Sequence, residues 1–407
     1  MAIDDNDKMV KLMNSYVDAL CDEIVLWGDR FRFADENGKR AQLKSIYFGG
    51  GTPLTIGIDN IIRIINIIID SFDVEDLGEF SIECNPYPEE DVYNAIKIIN
   101  KKYKKFPRIR WSFGLQTFDS EILKESGRLY SFPAIVDFLR GLVDLKADNN
   151  VFNFDFIAFG KFNQNKKGDI ILWDEYKWNF LVDFVSSYFA DGFSLYTLEL
   201  FPGSVWYHEQ IVKNNHVDQG LGLKKYGSDD DVYAEFEFIK NLFEENAYRR
   251  YELSNFALPG KASIHNNVYR NMENYIGVGT SASSFLKGNL CQSMSSFLNI
   301  ENDVKSVRWS NTKVLMDYVK GSYVDKKTVD PMDERDFRIE KVFLALRTQA
   351  GIENVSSYSD LFVSDWEEKI KDWTDRGLVD YYEDILVLTD KGMDVYNSII
   401  TDLFADV

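Results

Sequence analysis

The run Tyr47-Phe48-Gly49-Gly50-Gly51-Thr52-Pro53 closes an apolar segment with three consecutive glycines. Without Cβ atoms a ligand can lie against bare backbone and hydrogen-bond to its peptide groups, although the same residues also make a plain turn. Glu83 with Asn85, Gln116, Asp155 and Glu199 stand at or near the ends of four further apolar runs. Carboxylates and carboxamides there can accept from, or donate to, a polar ligand, or serve as caps and ion-pair partners. His265 and Tyr269 form a His-Asn-x-x-Tyr segment after Pro259-Gly260, a turn-rich context read as a loop. An imidazole beside a phenol is either a metal site or a hydrogen-bonding anchor.

These residues need elements to hold them. Short runs rich in Ile, Phe, Tyr, Val and Leu over 44–48, 80–83, 109–115, 152–159 and 193–200 read as strands. Helical periodicity fills the intervals 59–71, 89–102, 133–145 and 173–189. Alternating strands and helices predict repeated βα units around a parallel sheet, with strand C-termini collected at one mouth. From about residue 207 the pattern turns to longer helices and linkers, with a helix over 229–245. The last segment reads as helix, helix, strand pair and helix, a winged-helix-like module rich in Asp and Glu. The expected domains are 1–206, a partial (βα) barrel; 207–330, a barrel-completing and linker region; and 331–407, the winged-helix-like end.

The chain has 407 residues, 45% of them hydrophobic, enough for one large α/β domain and a smaller one. A net charge of −20 argues against a nucleic-acid partner. The basic run 101–105 reads as the solvated end of a helix. No apolar stretch reaches the ~18 residues of a membrane span, and the acidic opening is no signal peptide, so a cytoplasmic location is expected. Cys21, Cys84 and Cys291 are far apart and belong to no CxxC or CxxxCxxC group, which argues against both a disulfide framework and a local metal site.

Taken in order, these segments resemble the radical S-adenosylmethionine (SAM) haem chaperones of the HemW type and the related oxygen-independent coproporphyrinogen III oxidases. The resemblance is carried by the glycine run, Glu83-Cys84-Asn85-Pro86, Phe113-Gly114-Leu115-Gln116-Thr117-Phe118, Ser126-Gly127-Arg128, Asp155 and Ser194-Leu195-Tyr196. It continues through Phe201-Pro202-Gly203-Ser204, the segment 251–260, His265 to Tyr269, Tyr275-Ile276-Gly277-Val278-Gly279 and Leu388-Thr389-Asp390-Lys391-Gly392. It implies an incomplete (βα)6 radical-SAM-type barrel lacking its first strand, followed by the winged-helix-like domain. It further implies that Gly50, Gly51, Thr52 and Glu83 contact SAM, with Gln116, Arg128 and Asp155 around the same pocket. A carboxylate there can accept from ribose hydroxyls or balance a sulfonium and an ammonium. His265 and Tyr269 match the motif that the haem-chaperone branch links to haem, and an imidazole suits iron.

The family also needs three thiolates in a CxxxCxxC loop to hold a [4Fe–4S] cluster, and this sequence contains no such loop. Its opening, 1–15, corresponds to the linker after that loop, so either the reading frame begins at an internal methionine or the chain is a cluster-free relative. Tyr130 and Ser283 stand where histidines are common in the family, and Lys161-Phe162-Asn163-Gln164 replaces a Leu-Pro-Gly-Gln stretch. A lost first strand would also expose a sheet edge over 44–48. Three functions follow: a haem chaperone binding haem and SAM, impaired in cluster chemistry, that passes haem to an acceptor protein; a coproporphyrinogen III oxidase; or a cluster-free binding scaffold. A membrane would be met only indirectly, through the acceptor.

Overall fold

The computed structural model describes residues 5–160, 162–164, 170–172, 175–200, 202, 205–208, 228–301 and 304–404. Among the segments quoted above, Lys161, Phe201, Gly203 and Ser204 lie outside the described residues. The chain forms two compact units, one of Met1–Ser81, Lys105–Pro107 and Ser263–Val407, the other of Ile82–Lys104 and Arg108–Ala262. No helix among the described residues is long and apolar enough to cross a membrane.

The first unit opens with α1 (Asp5–Ala34), so the stretch expected as a linker is helical from Asp5 onward. Val17, Cys21, Ile24 and Phe31 recur at helical spacing and are buried. Strand β1 (Ser45–Phe48) follows, then α2 (Ile58–Ser71), whose buried stripe Ile61, Ile64, Ile65 and Ile68 follows the i, i+3, i+4, i+7 pattern. Gly28 lets α1 approach α2 closely, since a Cβ there would lie 2.8 Å from Cβ of Ser71. Strand β2 (Glu79–Cys84) begins in this unit and runs beside β1, which ends its sheet. Gly78 N–H donates to the Lys44 carbonyl at 2.8 Å where the two strands begin.

After residue 263 come a short helix, Ile264–Arg270, and an antiparallel sheet of Ser283–Lys287, Ser306–Ser310 and Asp330–Met332. The C-terminal part runs helix (Glu334–Ala345), short strand (Ile352–Glu353), helix (Trp366–Asp375), strand pair (Val379–Tyr382, Ile385–Leu388) and closing helices, so a short strand is added to the helix, helix, strand pair and helix read from the sequence. Its small sheet pairs Ile385–Leu388 with both other strands. The wing's turn residues Glu383 and Asp384 both have positive φ, the backbone that a two-residue hairpin turn demands.

The second unit carries the parallel sheet. After α3 (Glu89–Lys102) come β3 (Ile109–Gln116), α4 (Ser120–Glu125), α5 (Phe132–Leu142) and β4 (Asn150–Ala158). Strand β3 pairs parallel with β4, and β4 with the strand Gly192–Thr197. Both faces of β3 and β4 are largely buried, as a covered parallel sheet requires. Phe113 sits at the centre, with Phe138, Phe152 and Phe154 ring centroids 5.3–5.5 Å away. An antiparallel hairpin, Arg249–Glu252 and Asn255–Ala257, then extends the sheet. The segment 251–267 therefore contains strand and helix as well as turns. Its longest apolar run, Phe256-Ala257-Leu258, is too short to show a period.

Candidate functional site

In the first unit, β1 delivers the glycine run to one end of a cavity of about 1050 Å³. Gly50 (φ 78°) and Gly51 (φ 117°) occupy backbone conformations that L side chains rarely adopt. A Cβ built on either would meet no atom within 4 Å, so their faces are open. Thr52 lines the cavity next to Pro53, and its carbonyl accepts from Thr55 N–H at 3.0 Å, which shapes the turn. Deeper in, the walls are apolar, with Leu20 and Ile24 of α1, Ile61 and Ile64 of α2, Phe48 and Leu286.

His265 and Tyr269 line the same cavity, but on a helix rather than a loop. Ser263 caps that helix by accepting from Asn266 N–H at 3.2 Å, and the i, i+4 spacing sets imidazole and phenol on one face. His265 Nδ1 lies 2.8 Å from Ser45 Oγ, and Nε2 lies 2.8 Å from the Tyr269 hydroxyl. Tyr47 stacks on the ring at 4.7 Å and 16°. Both ring nitrogens are thus engaged within the protein. Burial pushes the His265 pKa down to about 4, against an opposing pull from the Glu79 charge. The imidazole is therefore neutral at pH 7. Burial also raises the Tyr269 hydroxyl to about 12, so it is an uncharged donor.

The cavity's far wall is the segment Tyr275–Ser283, and a buried carboxylate braces it. Glu23 of α1 accepts from Gly279 N–H at 3.0 Å, Asn311 Nδ2 at 2.8 Å, Tyr318 Oη at 2.5 Å and Trp27 Nε1 at 3.3 Å. Asn311 Nδ2 also donates to the Gly279 carbonyl at 2.9 Å, so Gly279 is held through both its N–H and its carbonyl. Ser283, at a position where the family commonly has histidine, opens the strand Ser283–Lys287 and meets Ser310 Oγ at 3.1 Å.

In the second unit Glu83, Gln116, Arg128 and Asp155 gather around Gly114. Asp155 sits opposite Gly114 across β3 and β4. Its carboxylate accepts from Ser112 Oγ at 2.8 Å and Asn153 Nδ2 at 2.7 Å, while Arg110 Nη2 donates to Asn153 Oδ1 at 2.7 Å. Burial raises the Asp155 pKa to about 6; hydrogen bonds from Ser194 and Ser112 and the charge of Arg110 oppose the rise, and Glu83 adds to it. Gln116 has φ 68° at a register shift between Gly114 and Gln116, an uncommon conformation for this residue type. A Cβ on Gly114 would lie 2.7 Å from Gln116 Nε2, so the glycine makes room for that carboxamide, with Asn85 Oδ1 in ordinary contact range at 3.6 Å. Arg128 Nη1 donates to Asn85 Oδ1 at 2.5 Å. Tyr130 ties its hydroxyl to the Gly114 carbonyl at 2.8 Å, so this departure from the family pattern supports the bulge. Glu199 is exposed beyond the strand end.

The thiols do not fit an iron–sulfur cluster. Cys21, Cys84 and Cys291 are free and buried, and burial raises the pKa of each, which keeps them as thiols rather than thiolates. No group of three His, Cys, Asp or Glu residues suited to a metal ion occurs among the described residues.

Sequence reasoning overlooked Glu23, Glu79, Ser45, Ser112, Asn153 and Asn311. A buried acid at a helical core position, such as Glu23 between Leu20 and Trp27, was the one available signal.

No family profile matches the chain. It is 25% identical to "Heme chaperone HemW" of Lactococcus lactis over 370 residues, covering 90% of this chain and 86% of that protein. The HemW of Bacillus subtilis is 26% identical over 345 residues, covering 83% and 79%. A mitochondrial "Radical S-adenosyl methionine domain-containing protein 1" of Danio rerio is 27% identical over 243 residues, 60% of this chain and 48% of that one. Among solved structures, coproporphyrinogen III oxidase (HemN) of Escherichia coli, titled a radical SAM enzyme, superposes with a TM-score of 0.66 at 18% identity. The match covers 97% of this chain and 84% of that one, a likeness of fold.

Proposed function

We propose, for a chain that belongs to the radical SAM HemW- and coproporphyrinogen-oxidase-like family, that it binds haem and SAM and hands haem to an acceptor protein. The observation that carries this reading is His265, a neutral imidazole fixed on the wall of a large, mostly apolar cavity. The names of the relatives support it.

In the tautomer that donates Nδ1–H to Ser45 Oγ, the lone pair sits on Nε2 and accepts from the Tyr269 hydroxyl. A hydrogen bond to the far nitrogen is how proteins orient a metal-ligating histidine. Exchanging Tyr269 for a metal would forfeit one neutral hydrogen bond, about 0.5–1.5 kcal/mol, and the hydroxyl can turn to another acceptor. Haem bound there would supply an iron centre with an open axial position. Apolar groups from α1, α2 and β1 would keep water from the macrocycle.

The resemblance assigns Gly50, Gly51, Thr52, Glu83, Gln116, Arg128 and Asp155 to SAM, and among them the polar groups clustered around Gly114 in the second unit suit the polar edge of a nucleoside. The three dispersed, buried thiols do not form a ligand set for a [4Fe–4S] cluster. The chaperone reading is preferred because the relatives that match most of this chain carry that name.

Titration with ferric haem tests the reading. The expected result is a saturable, roughly stoichiometric Soret shift that His265→Ala weakens at least tenfold while the fold persists by circular dichroism. An unchanged spectrum and affinity in the variant would refute it.

A further inference from the structure

Three buried carboxylates in the first and second units, Glu23, Glu79 and Glu235, each collect several donors. Glu235 holds the backbone after β4 and Glu23 holds a cavity wall; only Glu79 reaches the helix that bears His265. Glu79 opens β2 and is fully buried. Its Oε1 accepts from Ser263 Oγ at 3.0 Å, His265 N–H at 3.2 Å and Ser81 Oγ at 3.0 Å, and its Oε2 accepts from Ile264 N–H at 3.2 Å. The first N–H groups of a helix have no partner inside it. Here Ile264 and His265 give theirs to Glu79, while Asn266 gives its own to Ser263, whose hydroxyl proton Glu79 also takes.

We infer that Glu79 is the positioning residue for the His265 imidazole: it fixes the backbone from which the ring projects. This rests on the reading of His265 as the haem ligand. Two neighbouring strands then share the task. Ser45 on β1 sets the ring's rotation through Nδ1, Tyr47 stacks on its face, and Glu79 on β2 sets the height and direction of the helix. The sequence separation of 184 residues between Glu79 and Ser263 shows why no local pattern announces this role.

The variant Glu79→Gln tests it, because the shape is kept and the charge is lost. The carboxamide oxygen can serve Ser263 and His265 N–H, while its NH2 faces the Ile264 N–H, donor against donor. The readouts are ferric haem affinity and the iron spin state by electron paramagnetic resonance, with circular dichroism as the check on fold. The expected result is about a tenfold loss of affinity and an altered electron paramagnetic resonance signal of the bound ferric iron, with the fold retained. Should Glu79→Gln fail to fold, Ser263→Ala removes one of the four bonds with the charge in place; a smaller shift in the same direction is then expected. Wild-type affinity and spin state in whichever variant folds would overturn the inference. Wild-type binding by His265→Ala would instead overturn the ligand reading itself, so the two failures are told apart.

Discussion

Glu23→Gln isolates the brace on the cavity wall. The wild-type carboxylate serves four donors with two oxygens, Trp27 and Asn311 at Oε1, Gly279 and Tyr318 at Oε2. A glutamine keeps the volume but has one oxygen and one NH2. With the NH2 toward Trp27 and Asn311, the indole cannot accept, and Asn311 can do so only by flipping and losing its bond to the Gly279 carbonyl. The better pose turns it toward Gly279 and Tyr318. The tyrosine hydroxyl can rotate to accept, whereas the Gly279 N–H is left facing a donor. One buried, unsatisfied donor costs about 1–3 kcal/mol. Against this, the variant escapes the penalty of burying a charge, which is what raises the Glu23 pKa. The hydrogen-bond loss is taken as the larger effect, because the four donors offset most, though not all, of that penalty. A net destabilisation of about 2 kcal/mol follows, or roughly 4–8 °C in melting temperature for a body of this size.

The pH dependence adds a second check on Glu23. A carboxyl with a raised folded pKa holds its proton more tightly in the folded than in the unfolded state. Its contribution to stability is therefore full below its unfolded pKa and lost as pH rises through the folded one. Glutamine has no such dependence, so the deficit of the variant should widen as pH falls from 7 through that window. Urea denaturation of both proteins at a series of pH values measures this directly. A variant as stable as the wild type at pH 7, or a deficit that shrinks on acidification, would refute the account.

Asp155→Asn should flatten a different part of the stability profile. With its folded pKa raised to about 6, Asp155 stabilises the fold most below its ordinary value and loses that contribution as pH rises through about 6. The loss is roughly 1–2 kcal/mol once screening of a partly exposed group is allowed for. The asparagine variant should match or exceed wild-type stability at pH 7 in denaturant titrations and lack the slope between about pH 4 and 6. Gly141→Ala reverses a common rule. Alanine ordinarily stabilises a helix by about 0.5–1 kcal/mol over glycine, but here its Cβ would lie 2.2 Å from the Tyr93 hydroxyl. That ring is stacked on Phe138 at 5.7 Å and donates to the Phe138 carbonyl at 2.8 Å. Calorimetry should show a destabilisation of about 1–3 kcal/mol; a stabilised variant would mean that α3 and α5 yield freely.

The sequence by itself determined whatever repeats with a local period or is written as contiguous type. The isoleucine stripe of α2, the doubly buried strands β3 and β4 and the capped helix Asp229–Glu245 all announce themselves within a dozen residues. The ordered motifs pointed to the family, and the glycine run marked a backbone that side chains would obstruct. Tertiary structure alone decided what His265 is. Seven residues after a proline-glycine turn are too few for a helical period to show, so the segment read as a loop. Folding supplied the cap, the Ser45 and Tyr269 bonds and the burial that keeps the ring neutral. The same holds for Glu23 and Glu79, ordinary acids in sequence most of whose partners lie 184–295 residues away. A buried charge is tolerable only where donors from several segments converge on it, and that convergence is a property of the folded chain, not of any window of it.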